Sequence, residues 1–247
     1  MVIKRIGEQN TKMWYPENQT ELNELLEKLI IHSTKHNKKL HGLIVPHAGY
    51  EFSGEIAGKA YSLLNGKKID KIAILAPSHY VGFSGVVSCN SLSTPLGNVR
   101  ILKNDFPKSD SILRKEHSLD VQLPFIQKLL PQAKILPLVV GELTNIQAEE
   151  LAKKLSTQDL FFIISSDLSH FNKYEKAKEL DMDTIELIED LDLENFNQID
   201  ACGKFPLLVL FYLCKLKGWK PKLLEYKNSG DVTGNMSSVV GYASFMF

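Results

Sequence analysis

Histidines standing just past the ends of apolar runs are the residues of this chain best suited to chemistry. Leu43-Ile44-Val45-Pro46 runs into His47, Ile72-Ala73-Ile74-Leu75-Ala76-Pro77 into Ser78 and His79, and Phe161-Phe162-Ile163-Ile164 into Ser165-Ser166-Asp167 and then His170. Neutral imidazole is the commonest side-chain ligand for transition metals. A carboxylate near an imidazole can orient it or share a proton with it. A single histidine in such a place reads as a turn cap, but two in the same topological position point to a metal or active site. Alone, Asp167 and His170 would read as a turn in which Ser165, Ser166 and Ser169 satisfy the local backbone. As a third strand-end cluster, they read as the proton-handling side of the same site.

Other residues enter with less support. Glu116-His117 stands ahead of an apolar helical pattern, either as a solvated pair or as support for the site. Cys202 precedes Gly203 and a helix with Pro206 in its first turn; a helix N-terminus lowers a thiol's pKa and favours the metal-binding thiolate. A small buried residue is the other reading. Cys89 and Cys214 sit in apolar surroundings and are assigned to the core. Gly54-x-x-x-Gly58-Lys59 is one residue short of a Walker A loop, and Ala60 stands where a magnesium-binding hydroxyl belongs. G-x-S-x-G, H-E-x-x-H, C-x-x-C and G-x-G-x-x-G are all missing, which removes the main support for serine hydrolase, zincin, thioredoxin and Rossmann readings.

The elements that must hold these residues follow from periodicity. Short apolar runs bounded by Pro, Gly or Ser read as buried strands, and ligands gather beyond the carboxyl ends of strands in open α/β sheets. Leu22, Leu25, Leu26 and Leu29 predict a helix over about 20–31. Ser53 is a candidate N-cap for a helix with Ile56, Ala57, Ala60, Tyr61 and Leu64 on its apolar face, ended by Asn65-Gly66. Gly49 is expected to let the backbone pass close to a bound group. Residues 84–102 predict short strands or a hairpin, and Pro124 starts a helix reaching about 130. Strands at 133–140 and 159–165 enclose a helix near 145–155. Helices fill 174–217, and strands near 222–227 and 238–246 close the chain. This alternation predicts a single α/β domain over 1–247, with a largely parallel central sheet flanked by helices.

Composition narrows the function classes. Lys plus Arg and Asp plus Glu both number 29, so the chain lacks the net positive charge of a nucleic-acid binder. Lys35-His36-Asn37-Lys38-Lys39 reads as a solvated helix end or loop. Three cysteines are few for a secreted scaffold and suit reduced thiols. MVIKRIGEQN lacks the apolar stretch of a signal peptide, and the apolar window 205–214 is about half of the ~20 residues a membrane span needs. The expectation is a cytoplasmic protein with neither nucleic-acid nor membrane partners.

Taken together, PHAGY at 46–50, PSHY at 77–80, EHSLDVQLPF at 116–125, SSDLSH at 165–170 and ACG at 201–203, with Trp14-Tyr15-Pro16 near the start, resemble the MEMO family. Its prokaryotic members include those called AmmeMemoRadiSam system protein B. The resemblance implies a fold like the catalytic subunit of class III extradiol dioxygenases, non-haem iron enzymes that open catechol rings. It places His47, His79 and Cys202 as metal ligands, and Asp167 and His170 as catalytic residues lining the same pocket. Trp14 falls at the rim, and Glu116 and His117 support the ligands from behind or share that rim. A thiolate in place of the usual carboxylate shifts the metal toward copper, zinc or thiolate-tolerant iron. Two functions are therefore expected: a metal-dependent redox or oxygen-using enzyme, or an adaptor whose vestigial pocket recognises a small-molecule or peptide ligand. The family name further implies a radical-SAM partner protein.

Overall fold

Four of the apolar runs pair side by side because each is buried on both faces. They are Gly42–Val45 (β1), Lys71–Pro77 (β2), Lys134–Val140 and Phe161–Ser165, and they lie parallel. The computed structural model describes residues 14–30, 39–113 and 116–247. Short strands follow β2 at Val86–Val87 (β3), Ser93–Thr94 (β4) and Gly97–Asn98 (β5), the last two forming a hairpin. Lys134–Val140 is then β6, Phe161–Ser165 β7, His170–Asn172 β8, Lys222–Asn228 β9 and Val239–Met246 β10. The main sheet runs β3-β6-β2-β7-β1-β10-β8, with β9 also pairing β10. Its centre is parallel and its margins antiparallel.

Period-two alternation divides the core between two helical layers. Leu43, Val45, Ile72, Ile74 and Ile163 face one layer, while Ile44, Ala73, Leu75, Phe162 and Ile164 face the other. Gln19–Leu29 (α1) and Tyr50–Ser62 (α2) cover the first face. Two short helices, Asp110–Leu113 (α3) and His117–Asp120 (α4), lead into Leu123–Leu129 (α5) on that side. Asn145–Ser156 (α6), Tyr174–Asp190 (α7) and Lys204–Lys217 (α8) cover the second, and Ser229–Thr233 (α9) joins β9 to β10.

Several local expectations shift. Ser53 does not cap α2: the helix begins at Tyr50 with Gly49 as N-cap, and Ser53 Oγ donates to the Ala48 carbonyl at 3.0 Å. The earlier start is possible because the Tyr50 N–H finds the Trp14 carbonyl at 2.8 Å. Gly49, the N-cap of α2, has φ −53°, a value open to any residue. The short β8 was not anticipated; its middle residue, Phe171, has φ 62°, in the left-handed region, and is 77% exposed. The window 205–214 is a buried helix as expected, and among the described residues no helix is long and apolar enough to cross a membrane. Cys89 and Cys214 are buried free thiols, pushed up by burial to about 11 and about 12. Residues 35–38 of the basic cluster and the first ten residues lie outside the described residues; Lys39 is exposed.

Candidate metal centre

β2, β7 and β1 are consecutive in the sheet and parallel, so their carboxyl ends open on one edge. His79, Asp167 and His47 follow those ends by two residues each. The edge therefore collects the strand-end groups by topology alone. His117 joins them at the start of α4, whose Ser118 Oγ donates to the Pro77 carbonyl at 2.8 Å and docks the helix on the end of β2. His47, His79 and His117 each offer a ligand atom, and these atoms all lie within 4.8 Å of one another. The ring centroids are 5.0 Å apart for His47–His79, 5.5 Å for His47–His117 and 4.8 Å for His79–His117.

His47 is buried, and its backbone N–H donates to Asp167 Oδ1 at 2.7 Å. Its Nδ1 lies 2.8 Å from Ser165 Oγ and its Nε2 3.1 Å from Cys202 Sγ. Burial, followed by the charges of His79, His117 and His170, holds its pKa well below the usual imidazole value. The ring is therefore neutral, the form that binds metal.

His79 is the most open of the three, and Glu116 anchors it twice: Oε2 accepts its backbone N–H at 2.6 Å, and Oε1 lies 2.8 Å from its Nδ1. Burial alone would raise the Glu116 carboxyl. Hydrogen bonds from the His79 ring, that ring's charge and the backbone N–H groups of His79 and Ser118 outweigh it and hold the group below its usual value. An ionised carboxylate only accepts, so the His79 proton sits on Nδ1 and Nε2 is left for the cluster. His117 stacks on Trp14 with centroids 3.9 Å apart, and its Nδ1 lies 3.1 Å from the Tyr80 hydroxyl. Burial lowers the His117 pKa to about 4 against the opposing pull of Glu116. Three imidazoles converging at this range suit a transition metal.

Cys202 and Asp167 form the neighbouring wall. The Asp167 N–H donates to Cys202 Sγ at 3.2 Å. The helix N-terminus was expected to lower this thiol. Instead burial, reinforced by the Asp167 charge, pushes it well above its usual value. The helix contribution loses because the thiol is withdrawn from water beside a carboxyl group. Burial also raises Asp167, to about 6, although the His47 and Ala48 N–H groups and the charges of His170 and His79 pull the other way. His170, on β8, stands outside the imidazole cluster but close enough for its charge to act on both His47 and Asp167.

Every strand-end residue singled out in the sequence thus lies at this edge, with Cys202 beside His47. What the sequence reading underweighted is His117, which offers a ligand atom in the cluster rather than only supporting it. It also missed the buried side chains behind His47: Ser165, counted only as a turn hydroxyl, and Gln122. The Glu116-His117 pair carried the only sequence signal for His117. Its stacking on Trp14, from a distant part of the chain, carried none.

Comparison with known proteins places the whole chain in one context. A family model described as Memo-like protein matches residues 10–246. The chain is 31% identical to a MEMO1 family protein of Thermoplasma volcanium, covering 94% of each. It is 35% identical to one of Methanobrevibacter smithii, covering 95% of this chain and 96% of that protein. A MEMO1 family protein of Aquifex aeolicus is 34% identical over the same shares.

Proposed function

This chain belongs to the Memo family, and on that footing we propose that it binds an iron, copper or zinc ion at the sheet edge through His47, His79 and His117. The reading is carried by the mutual approach of these ligand atoms within 4.8 Å. Imidazole suits all three metals. Cys202 Sγ, 3.1 Å from His47 Nε2, is a soft donor beside the cluster, and the competing ligand set is His47, His79 and Cys202.

A metal held this way supplies Lewis-acid or redox chemistry to a bound substrate. The protein's own part is proton handling. Asp167, raised to about 6, can hold or release a proton near neutrality. His170 is partly exposed and close enough for its charge to act on Asp167, so it can pass a proton to solvent. These roles fit a metal-dependent redox or oxygen-using enzyme.

One observation favours the second reading, recognition of a small-molecule or peptide ligand without turnover. Two exposed aromatics border the site: Tyr80 through its hydroxyl contact to His117, and Phe171 next to His170. Ligand binding that survives chelation would select that reading.

The deciding measurement is metal content after anaerobic reconstitution with iron, copper and zinc in turn. Wild type is expected to retain roughly one ion per chain, and His47→Ala and His79→Ala to lose it. His117→Ala loses the ion if three imidazoles hold it; Cys202→Ala does so if the thiolate is the third donor. His170→Ala keeps the metal. Wild type that retains no more than the His47→Ala, His79→Ala double variant overturns the proposal.

A further inference from the structure

Behind His47 lies a chain of buried polar groups whose hydrogen atoms can be placed from two backbone carbonyls. Gln122 and Ser165 are both fully buried. The Gln122 side chain approaches the Pro46 carbonyl at 3.0 Å. A carbonyl can only accept, so the Gln122 atom facing it is the amide nitrogen. Its oxygen then accepts from the Tyr61 hydroxyl at 3.0 Å, on the core side of α2. The second N–H of the same amide points to Ser165 Oγ at 2.9 Å.

Ser165 has one proton to give. Its Oγ lies 2.6 Å from the Ser118 carbonyl, again a group that only accepts, so the proton is spent there. The hydroxyl keeps two lone pairs, and the Gln122 amide takes one. The other faces His47 Nδ1 at 2.8 Å. An unprotonated Nδ1 would set lone pair against lone pair in a site closed to water. Turning the hydroxyl toward the ring instead would orphan the Ser118 carbonyl and crowd the Gln122 N–H. The remaining arrangement has Nδ1–H donating to Ser165. His47 Nε2 is then an acceptor, with Cys202 Sγ 3.1 Å away.

We propose that Ser165, fixed by Gln122, is a positioning residue that holds the proton of neutral His47 on Nδ1 and so turns the Nε2 lone pair toward the imidazole cluster. Ser165 does for the buried histidine what Glu116 does for the open one. A neutral hydroxyl serves where a second buried carboxylate would add to the charge of Asp167. The consequence for metal binding rests on the metal reading above; the proton's place does not.

The test uses metal-free, ¹⁵N-histidine-labelled protein at neutral pH. Long-range proton–nitrogen NMR distinguishes a ring protonated on Nδ1 from one protonated on Nε2, and His47→Gln identifies the His47 signals. Wild type is expected to show Nδ1–H. Ser165→Ala moves His47 toward Nε2–H, and Ser165→Thr, which restores the hydroxyl, restores Nδ1–H. A wild-type His47 protonated on Nε2 overturns the proposal, and that measurement stands whether or not a variant folds. An unchanged tautomer in Ser165→Ala also overturns it. Chelator competition then separates the two ideas: Ser165→Ala binds zinc roughly 10–100-fold more weakly, with Thr restoring affinity. If wild type shows Nδ1–H but takes up no metal, the metal reading fails and the relay stands. If metal binds equally to wild type and Ser165→Ala, the relay's role is refuted while the metal reading survives.

Discussion

Glu116 shows how much of this site depends on one buried side chain. Its carboxylate accepts the His79 backbone N–H and the Ser118 N–H, and meets the His79 ring at 2.8 Å. It thereby caps α4 and fixes the tautomer of a candidate ligand in one stroke. Glu116→Gln keeps the volume but replaces an acceptor oxygen with a donor, so one His79 N–H must face another N–H. Metal affinity should fall roughly 10–100-fold, the usual effect of losing a ligand's hydrogen-bond partner. Competition against a chromophoric chelator measures it, and an unchanged affinity would remove Glu116 from the site's support. At this scale the sequence was informative where chemistry follows from position: His47, His79, Asp167 and His170 all stand past strand ends. It was not informative where burial decides. A thiol at a helix N-terminus looks activated on paper, yet Cys202 is pushed up because the pocket withdraws it from water next to Asp167.

Among the elements, the Gly54-x-x-x-Gly58 spacing that fails as a phosphate loop has a packing role instead. Both glycines sit on the face of α2 that meets the C-terminal end of α1. A Cβ at Gly58 would lie 2.1 Å from the Leu29 carbonyl oxygen, while one at Gly54 would meet the flexible Leu29 Cδ1 at 2.8 Å. Alanine is the better helix former by about 1 kcal/mol, so propensity alone predicts that Gly58→Ala stabilises. The backbone contact cannot yield, and overpacking typically costs about 1–3 kcal/mol. Gly58→Ala should therefore lower the urea midpoint and Gly54→Ala should lower it less, because a leucine methyl can rotate away. A rise in the midpoint for Gly58→Ala would show that α1 is free to move off. The central strands and long helices were legible because their periodicity is strong and their burial two-sided. The start of α2 was not, because the group that satisfies its first N–H is the Trp14 carbonyl, distant in sequence. The short β8 was not either: its pairing with β10 is set by the partner strand, and its own three residues carry no pattern.

For the molecule as a whole, the candidate ligands come from separate stretches of chain that only the folded sheet brings together. His47 follows β1, His79 follows β2, and His117 opens α4. An ion bound here binds the native state and hardly the unfolded one, so it must raise the unfolding temperature. At a hundredfold excess over Kd the gain is about 2.7 kcal/mol, or about 5–10 °C at the ~2–4 °C per kcal/mol expected for a chain of this size. The pH dependence of that gain distinguishes the two ligand sets. Imidazoles that are already neutral release no proton when they bind, so with three of them the stabilisation levels off above neutral pH. The Cys202 thiol, held up by burial and by Asp167, keeps its proton in the metal-free protein and must lose it to coordinate. Raising the pH removes that competing proton, so affinity would climb about tenfold, or about 1.4 kcal/mol, per pH unit. Calorimetric scans with zinc at pH 7, 8 and 9 are expected to show a flat shift if His117 is the third ligand, and a rising one that Cys202→Ala flattens if the thiolate is. No shift at any pH, with His47→Ala behaving as wild type, would mean that the three imidazoles meet for a purpose other than metal.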